Sequence, residues 1–169
     1  MTKKTIGFVG TGVMGKSMAT HLINKGYEVN VYNRTKSKAD ELVEIGATWC
    51  DTIADLSKTS DVIISIVGYP KDVESIYLDE SGIINHAKEG TTIIDMTTSS
   101  PALAERIYNE AKTKNINSLD APVSGGDVGA KNATLTIMVG GDEEVFNQTF
   151  ESMTCLMISL LYNDNLFDI

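Results

Sequence analysis

The stretch "IGFVGTGVMGKSM", Ile6 to Met18, decides the fold. It opens as a short apolar run ended by Gly10. From Val13 onward, Met14, Met18, Leu22 and Ile23 recur at helical spacing, and Gly26 follows as a C-terminal stop. Between strand and helix, Gly10, Gly12 and Gly15 complete a G-x-G-x-x-G pattern. Gly10 allows the tight turn out of the strand. Gly12 has no Cβ, so backbone can approach a pyrophosphate. Gly15 lets the helix pack close to the sheet. The free N–H groups that begin the helix then face a diphosphate. Three glycines alone are a weak signal. Here they follow a strand, open a helix and precede another strand, which is the context the motif requires. The competing reading is a glycine-rich turn that holds no ligand.

Outward from this loop, short β-branched runs alternate with longer amphipathic ones. "EVNVYN" (28–33), "DVIISIVG" (61–68) and "TTIIDMTT" (91–98) read as buried strands, and "INSLDAP" (116–122) as a further one. Lys36 to Ile45 reads as a helix closed by Gly46. Another starts with Ser100 as its cap and Pro101 in its first turn. "ATLTIMVGG" (133–141) fits a last strand before a helix at Asp142 to Ser152. The alternation predicts an α/β protein: a Rossmann-type, doubly wound, mainly parallel sheet with helices on both faces. "ATLTIMVGG" and "MISLLYN" (157–163) are expected at one edge of it. The dinucleotide-binding domain is expected over 1–155, with a divergent tail, 156–169, that holds the edge strand.

The length, 169 residues, suits one full domain, or one domain plus a fragment. Apolar residues make up 42% and charged residues 22%, and the formal net charge is −9. An acidic chain without a basic cluster is a poor partner for nucleic acid or an anionic membrane. Cys50 and Cys155 are too few for a disulfide framework, and no zinc-type Cys/His spacing occurs. His21 reads as a solvated surface residue, His86 as structural, and Trp49 as a packing aromatic. No signal peptide is evident, and the late run "CLMISLLY" is far too short for a bilayer, so the expectation is a cytoplasmic protein.

NAD sites carry an Asp or Glu about 20 residues after the glycine loop, where it accepts from the ribose 2′-OH. That place holds Asn33, followed by Arg34 and Thr35, with Lys36 and Lys38 nearby. A carboxylate would repel a 2′-phosphate, and an amide would not. The guanidinium is a planar fork suited to phosphate. The expected cofactor is therefore NADP (NADPH) rather than NAD. The alternative is that Arg34 covers a helix end, or stacks on adenine in either cofactor.

"IGFVGTGVMGKSMATHLINKGYEVNVYNRT" and "DAPVSGGDVGAKNATLTIMVGG" together resemble the β-hydroxyacid dehydrogenases. That family includes 3-hydroxyisobutyrate dehydrogenase, tartronate semialdehyde reductase, the glyoxylate/succinic semialdehyde reductases and, more distantly, 6-phosphogluconate dehydrogenase. The resemblance runs from about Lys3 to Phe150, and its second motif is far more specific than the glycine loop. It implies that the cofactor loop is Gly10, Thr11, Gly12, Val13, Met14 and Gly15, and that Asn33, Arg34 and Thr35 match the NADP-preferring members. It implies that Val67 and Gly68 lie along the cofactor, and that Thr97 and Thr98 form a polar turn on the nicotinamide side. It implies that Ser124, Gly125 and Gly126 hold the carboxylate and hydroxyl end of a small substrate, for which a hydroxyl and open N–H groups are suited. Each has a plainer reading: a strand end for Val67 and Gly68, turn formers before a helix for the threonines, a tight loop for the "SGG".

The same resemblance implies hydride transfer between NADP(H) and a small 3-hydroxyacid or semialdehyde. The family's proton-transfer lysine lies in a G-x-x-x-K-x-x-x-N pattern on a helix beyond this domain, and the pattern does not occur in this sequence. Lys131 is the last cation; from Asn132 to Ile169 there are six acids and no Lys, Arg or His. Lys131 itself reads as a solvated loop cation, and Asp95 and Asp120 as structural caps. The expectation is thus a cofactor-binding domain without a catalytic residue or metal, and without the family's C-terminal all-α domain. On that reading it is truncated and inactive, with a homodimer possible through the surface that domain would cover. The alternatives are a non-catalytic NADP-binding module and an inert fragment.

Overall fold

The computed structural model describes residues 3–163. In chain order the elements are β1 (Ile6–Val9), α1 (Val13–Asn24), β2 (Val29–Tyr32), a 3₁₀ turn (Lys36–Ala39) running into α2 (Asp40–Glu44), β3 (Thr48–Trp49) and α3 (Ile53–Thr59). Next come β4 (Val62–Ser65), α4 (Pro70–Leu78), α5 (Ile83–His86), β5 (Thr92–Asp95), α6 (Pro101–Thr113) and β6 (Asn117–Asp120). The chain then forms β7 (Val123–Ser124), α7 (Gly126–Asn132), β8 (Leu135–Gly141), α8 (Glu143–Thr154) and β9 (Met157–Asn163).

The sheet order is β3-β2-β1-β4-β5-β6-β8-β7, with β9 paired to β8. Every pair from β3 to β6 is parallel, while β8 runs antiparallel to β6 and β7. The chain winds outward from β1 through β2 to β3, then returns to lay β4 on the other side of β1. That reversal opens a crevice beyond the carboxyl end of β1, where ligands bind in open α/β sheets.

The central strands are apolar on both faces, as buried parallel strands must be. In β4, Val62 and Ile64 join one core with Phe8, Met18 and Leu22, while Ile63 joins the other with Leu56, Val73 and Tyr77. Successive side chains of a strand point to opposite faces, so one four-residue run serves both cores.

The stretch read as a single helix over 36–45 is instead a 3₁₀ turn followed by the short α2. Its buried positions, Ala39 and Leu42, lie three apart, and the tighter turn sets both against the sheet. Helix α6 starts at Pro101 as expected, but Ser100 makes no side-chain cap bond. "MISLLYN" forms β9, which runs parallel to β8 with a register shift between Leu135 and Thr136. The last part of the tail, "DNLFDI" (164–169), lies outside the described residues. Among the described residues no helix is long and apolar enough to cross a membrane.

Candidate functional site: a cleft at the sheet reversal

A cleft of about 520 Å³ lies over the end of β1. Gly10, Gly12, Val13, Met14 and Gly15 line it from the first loop, Asn33, Arg34 and Thr35 from the end of β2, and Val67 and Gly68 from the end of β4. These residues were singled out in the sequence, and the sheet reversal brings them together.

The three glycines differ in what surrounds them. Gly10 has φ +98°, and a Cβ there would lie 2.0 Å from the Ile66 carbonyl oxygen. At Gly15 a Cβ would lie 1.9 Å from the Gly10 carbonyl oxygen. At Gly12 it would meet nothing within 4 Å. The first two glycines are therefore required by the protein's own packing. The third leaves open volume in the cleft. The first intrahelical bond of α1 is from Lys16 N–H to Gly12 C=O, 2.8 Å, so the N–H groups of the first turn have no helical acceptor. The N-cap is Gly12 itself, without a side-chain cap, and no acidic residue sits in that turn. This is the donor set an anion needs.

Asn33 does more than withhold a charge. Its Oδ1 accepts from Thr11 N–H at 2.9 Å, and its Nδ2 donates to Thr35 C=O at 2.9 Å. The amide thus fastens the glycine loop to the turn after β2. A carboxylate at this position could do the first but not the second, since it has no donor when ionised. Thr11 is buried and lies behind the cleft rather than in its lining. Arg34 is 89% exposed in its side chain, and its Nη1 stands 3.7 Å from Asp72 Oδ1. Lys38 also lines the cleft, whereas Lys36 reaches over the Trp49 ring, 5.4 Å from its centroid. Trp49 itself packs on Tyr32, with ring centroids 6.0 Å apart.

Several lining residues carried no signal in the sequence reading: Tyr32, Ile53, Asp72, Ser75, Ile76 and Asp127. Three of them stand on α4, at the i, i+3 and i+4 positions that share one helix face. The start of α4 was legible, because Pro70 follows a strand and occupies the first helical turn. Likewise Thr52 accepts from Asp55 N–H at 3.0 Å, a capping pattern that announces α3.

The remaining expected residues lie beside this cleft rather than in its lining. Thr97 is buried, and its Oγ1 accepts from Val67 N–H at 3.0 Å, which ties the loop after β4 to the loop after β5. Thr98 is exposed, as are Ser124, Gly125 and Gly126. Gly125 has φ +132°, a backbone state that side-chain-bearing residues rarely adopt, so the turn into α7 requires glycine there. Asp127, in the first turn of α7, does line the cleft. The "SGGD" segment therefore borders the same crevice.

Beneath the loops lies a buried polar cluster. Ser65 Oγ and Thr97 N–H both donate to Asp95 Oδ1, at 3.0 and 3.1 Å, and Ser65 is also bonded to the Tyr77 hydroxyl. Asp95 thus caps the turn that follows β5. Asp120 is its in-register partner on β6. Burial pushes the Asp95 carboxyl up to about 6. Burial, and then the charge of Asp95, pushes Asp120 up to about 7. Burial also holds the Tyr77 hydroxyl well above its ordinary value.

His21, read from the sequence as solvated, is half-buried instead. Its Nε2 lies 2.9 Å from the Ala130 carbonyl oxygen and 3.0 Å from that of Lys131, so this nitrogen carries the proton and caps the end of α7. No local pattern could reveal a bond spanning 109 residues.

Residues 5–157 match the model of a family described as the NAD binding domain of 6-phosphogluconate dehydrogenase. The chain is 56% identical over 164 residues to the uncharacterized oxidoreductase YkwC of Bacillus subtilis (strain 168), covering 97% of this chain and 55% of that one. The solved structure of 3-hydroxyisobutyrate dehydrogenase from Mycobacterium tuberculosis with L-serine superposes with a TM-score of 0.90 at 28% identity, covering 95% of this chain and 54% of that one. The solved structure of Psf3 in complex with NADP+ and 2-OPP superposes with a TM-score of 0.93 at 25% identity, covering 97% of this chain and 58% of that one. The chain thus spans little more than half the length of these relatives.

Proposed function

The chain belongs to the family of the NAD binding domain of 6-phosphogluconate dehydrogenase, and from that premise we propose that it is the cofactor-binding part of an NADP-dependent oxidoreductase acting on a small 3-hydroxyacid or its semialdehyde. The observation that carries the proposal is the contrast among the glycines. Gly10 and Gly15 answer to protein packing, while Gly12 faces open space above uncommitted N–H groups. A loop built only as a turn has no use for that combination.

The residues present fit the cofactor. The N–H groups of the first turn of α1 would hold the diphosphate, and Gly12 leaves room for it. Ile53 and Ile76 offer apolar surface to the adenine. Arg34 and Lys38, which both line the cleft, would receive the adenosine 2′-phosphate, and Asn33 takes the place of the usual carboxylate. Asn33 is engaged with Thr11 and Thr35. Its part is therefore to set the loop while leaving the 2′-position free of negative charge. Thr97 keeps Val67 in place along the cleft through its 3.0 Å bond. Ser124, with the N–H groups of Gly125 and Gly126, receives the substrate carboxylate. When bound, the nicotinamide supplies or accepts the hydride. The sequence contains no G-x-x-x-K-x-x-x-N pattern to move the accompanying proton. What these residues supply on this reading is the binding of the cofactor and the anchoring of the substrate carboxylate; the alternative is a non-catalytic NADP-binding module.

The test is calorimetric titration of the native chain and of Arg34→Ala with NADPH and, separately, NADH. The native chain binds NADPH more tightly, and Arg34→Ala loses far more NADPH affinity than NADH affinity. Equal loss for the two cofactors would refute the 2′-phosphate assignment.

A further inference from the structure

The cleft has two lips. One is the turn after β2, with Arg34; the other is the first turn of α4, with Asp72. Their side chains meet across the opening at 3.7 Å. The two partners are not alike. Asp72 is anchored: its Oδ2 accepts from Tyr69 N–H at 3.2 Å at the start of α4, and its side chain is 32% exposed. Arg34 is 89% exposed and is the partner that can swing. Asp72 is thus a fixed negative charge at the mouth of the cleft, facing the one guanidinium that lines it.

We propose that Asp72 is a specificity-determining residue that restrains the preference for the 2′-phosphorylated cofactor by competing with the phosphate for Arg34. This rests on the placement of the 2′-phosphate beside Arg34 given above. Two opposed effects are at work. Asp72 draws Arg34 over the cleft, which pre-orders it for a ligand. It also presents a carboxylate to an incoming phosphate ester that carries close to two negative charges. The first effect is a solvent-exposed ion pair, which is worth little. The second is repulsion between a unit charge and a double one that would share the same guanidinium, and it is the larger. A cofactor with a free 2′-hydroxyl meets neither effect strongly. The capping bond from Tyr69 N–H explains why the carboxylate cannot turn aside.

The experiment is calorimetry of Asp72→Asn on the 169-residue chain, with NADPH and NADH at low and at high salt, alongside Arg34→Ala. The amide keeps an oxygen for Tyr69 N–H, so α4 retains its cap; a thermal melt of the variant checks this. Removing the charge raises the NADPH-over-NADH affinity ratio about tenfold at low salt. The gain shrinks as salt screens the repulsion, which a purely structural role would not do. An unchanged ratio in Asp72→Asn, with Arg34→Ala still selective against NADPH, overturns the role of Asp72 and leaves the 2′-phosphate reading standing. A fall in the ratio shows that Asp72 assists the phosphate and likewise overturns it. Selectivity fully retained in Arg34→Ala, or binding of neither cofactor, overturns both readings.

Discussion

Replacing Gly12 and Gly15 separately with alanine tests whether one glycine answers to a ligand and the other to the protein. Gly12 has φ −68° and ψ −167°, which alanine adopts without strain, and its Cβ would meet nothing within 4 Å. Alanine is a poorer N-cap than glycine by a few tenths of a kcal/mol or more, but it also lowers unfolded-chain entropy by about 0.4–1 kcal/mol. The two effects offset, so stability changes by less than about 1 kcal/mol. At Gly15 the new Cβ would lie 1.9 Å from the Gly10 carbonyl oxygen, a main-chain atom that cannot swing away. Such overpacking costs roughly 3 kcal/mol. For a domain of this size about 1 kcal/mol moves Tm by about 2–4 °C. Gly15→Ala should therefore melt about 6–12 °C below the native chain, and Gly12→Ala within about 4 °C of it. Binding should show the opposite order of informativeness. In Gly12→Ala the methyl group occupies the path of the diphosphate, and NADPH affinity should fall about tenfold to a hundredfold in a chain that remains folded. Differential scanning calorimetry and NADPH titration on the same samples decide the matter. A Gly12→Ala chain that melts as low as Gly15→Ala, or binds NADPH as the native chain does, refutes the reasoning.

The buried acids set a pH dependence opposite in sign to ordinary acid denaturation. Asp95 and Asp120 stand at about 6 and about 7 in the folded chain, against 3.8 for the free side chain. The folded state therefore holds protons that the unfolded chain has lost, and the contribution of the pair to stability falls as pH rises from about 4 to about 7. Asp120→Asn should raise Tm relative to the native chain at about pH 8, with the difference shrinking towards pH 5; an equal shift at both would exclude the linkage. Removing the cap on α7 is a separate matter. His21→Ala removes the side-chain donor that the Ala130 and Lys131 carbonyls share and should cost about 1 kcal/mol, about 2–4 °C in Tm. Hydrogen exchange should quicken within 126–132, and unchanged protection there would show that the bond contributes nothing.

Much of the fold could be read locally. Runs such as "DVIISIVG" announce buried strands because the period and β-branching of a few neighbours suffice. The short β3 escaped for the converse reason: two residues are too few to show a period. The helices α3 and α4 did carry start signals, at Thr52 and Pro70, but their apolar faces are short and interrupted by charge.

The glycine loop, the strand-helix alternation and the missing carboxylate at Asn33 were determined by the sequence alone. Each depends on the chemistry of one residue or the spacing of a few. Which residues face one another was decided only by the tertiary structure. The return of the chain to lay β4 beside β1 sets α4 opposite the turn after β2, and so brings Asp72 to Arg34. The same winding places Asp120 against Asp95 and carries the last turn of α7 to His21. It also decides that the Asn33 Oδ1 is spent on Thr11. Such meetings follow from the order of strands in the sheet, and no local periodicity encodes that order.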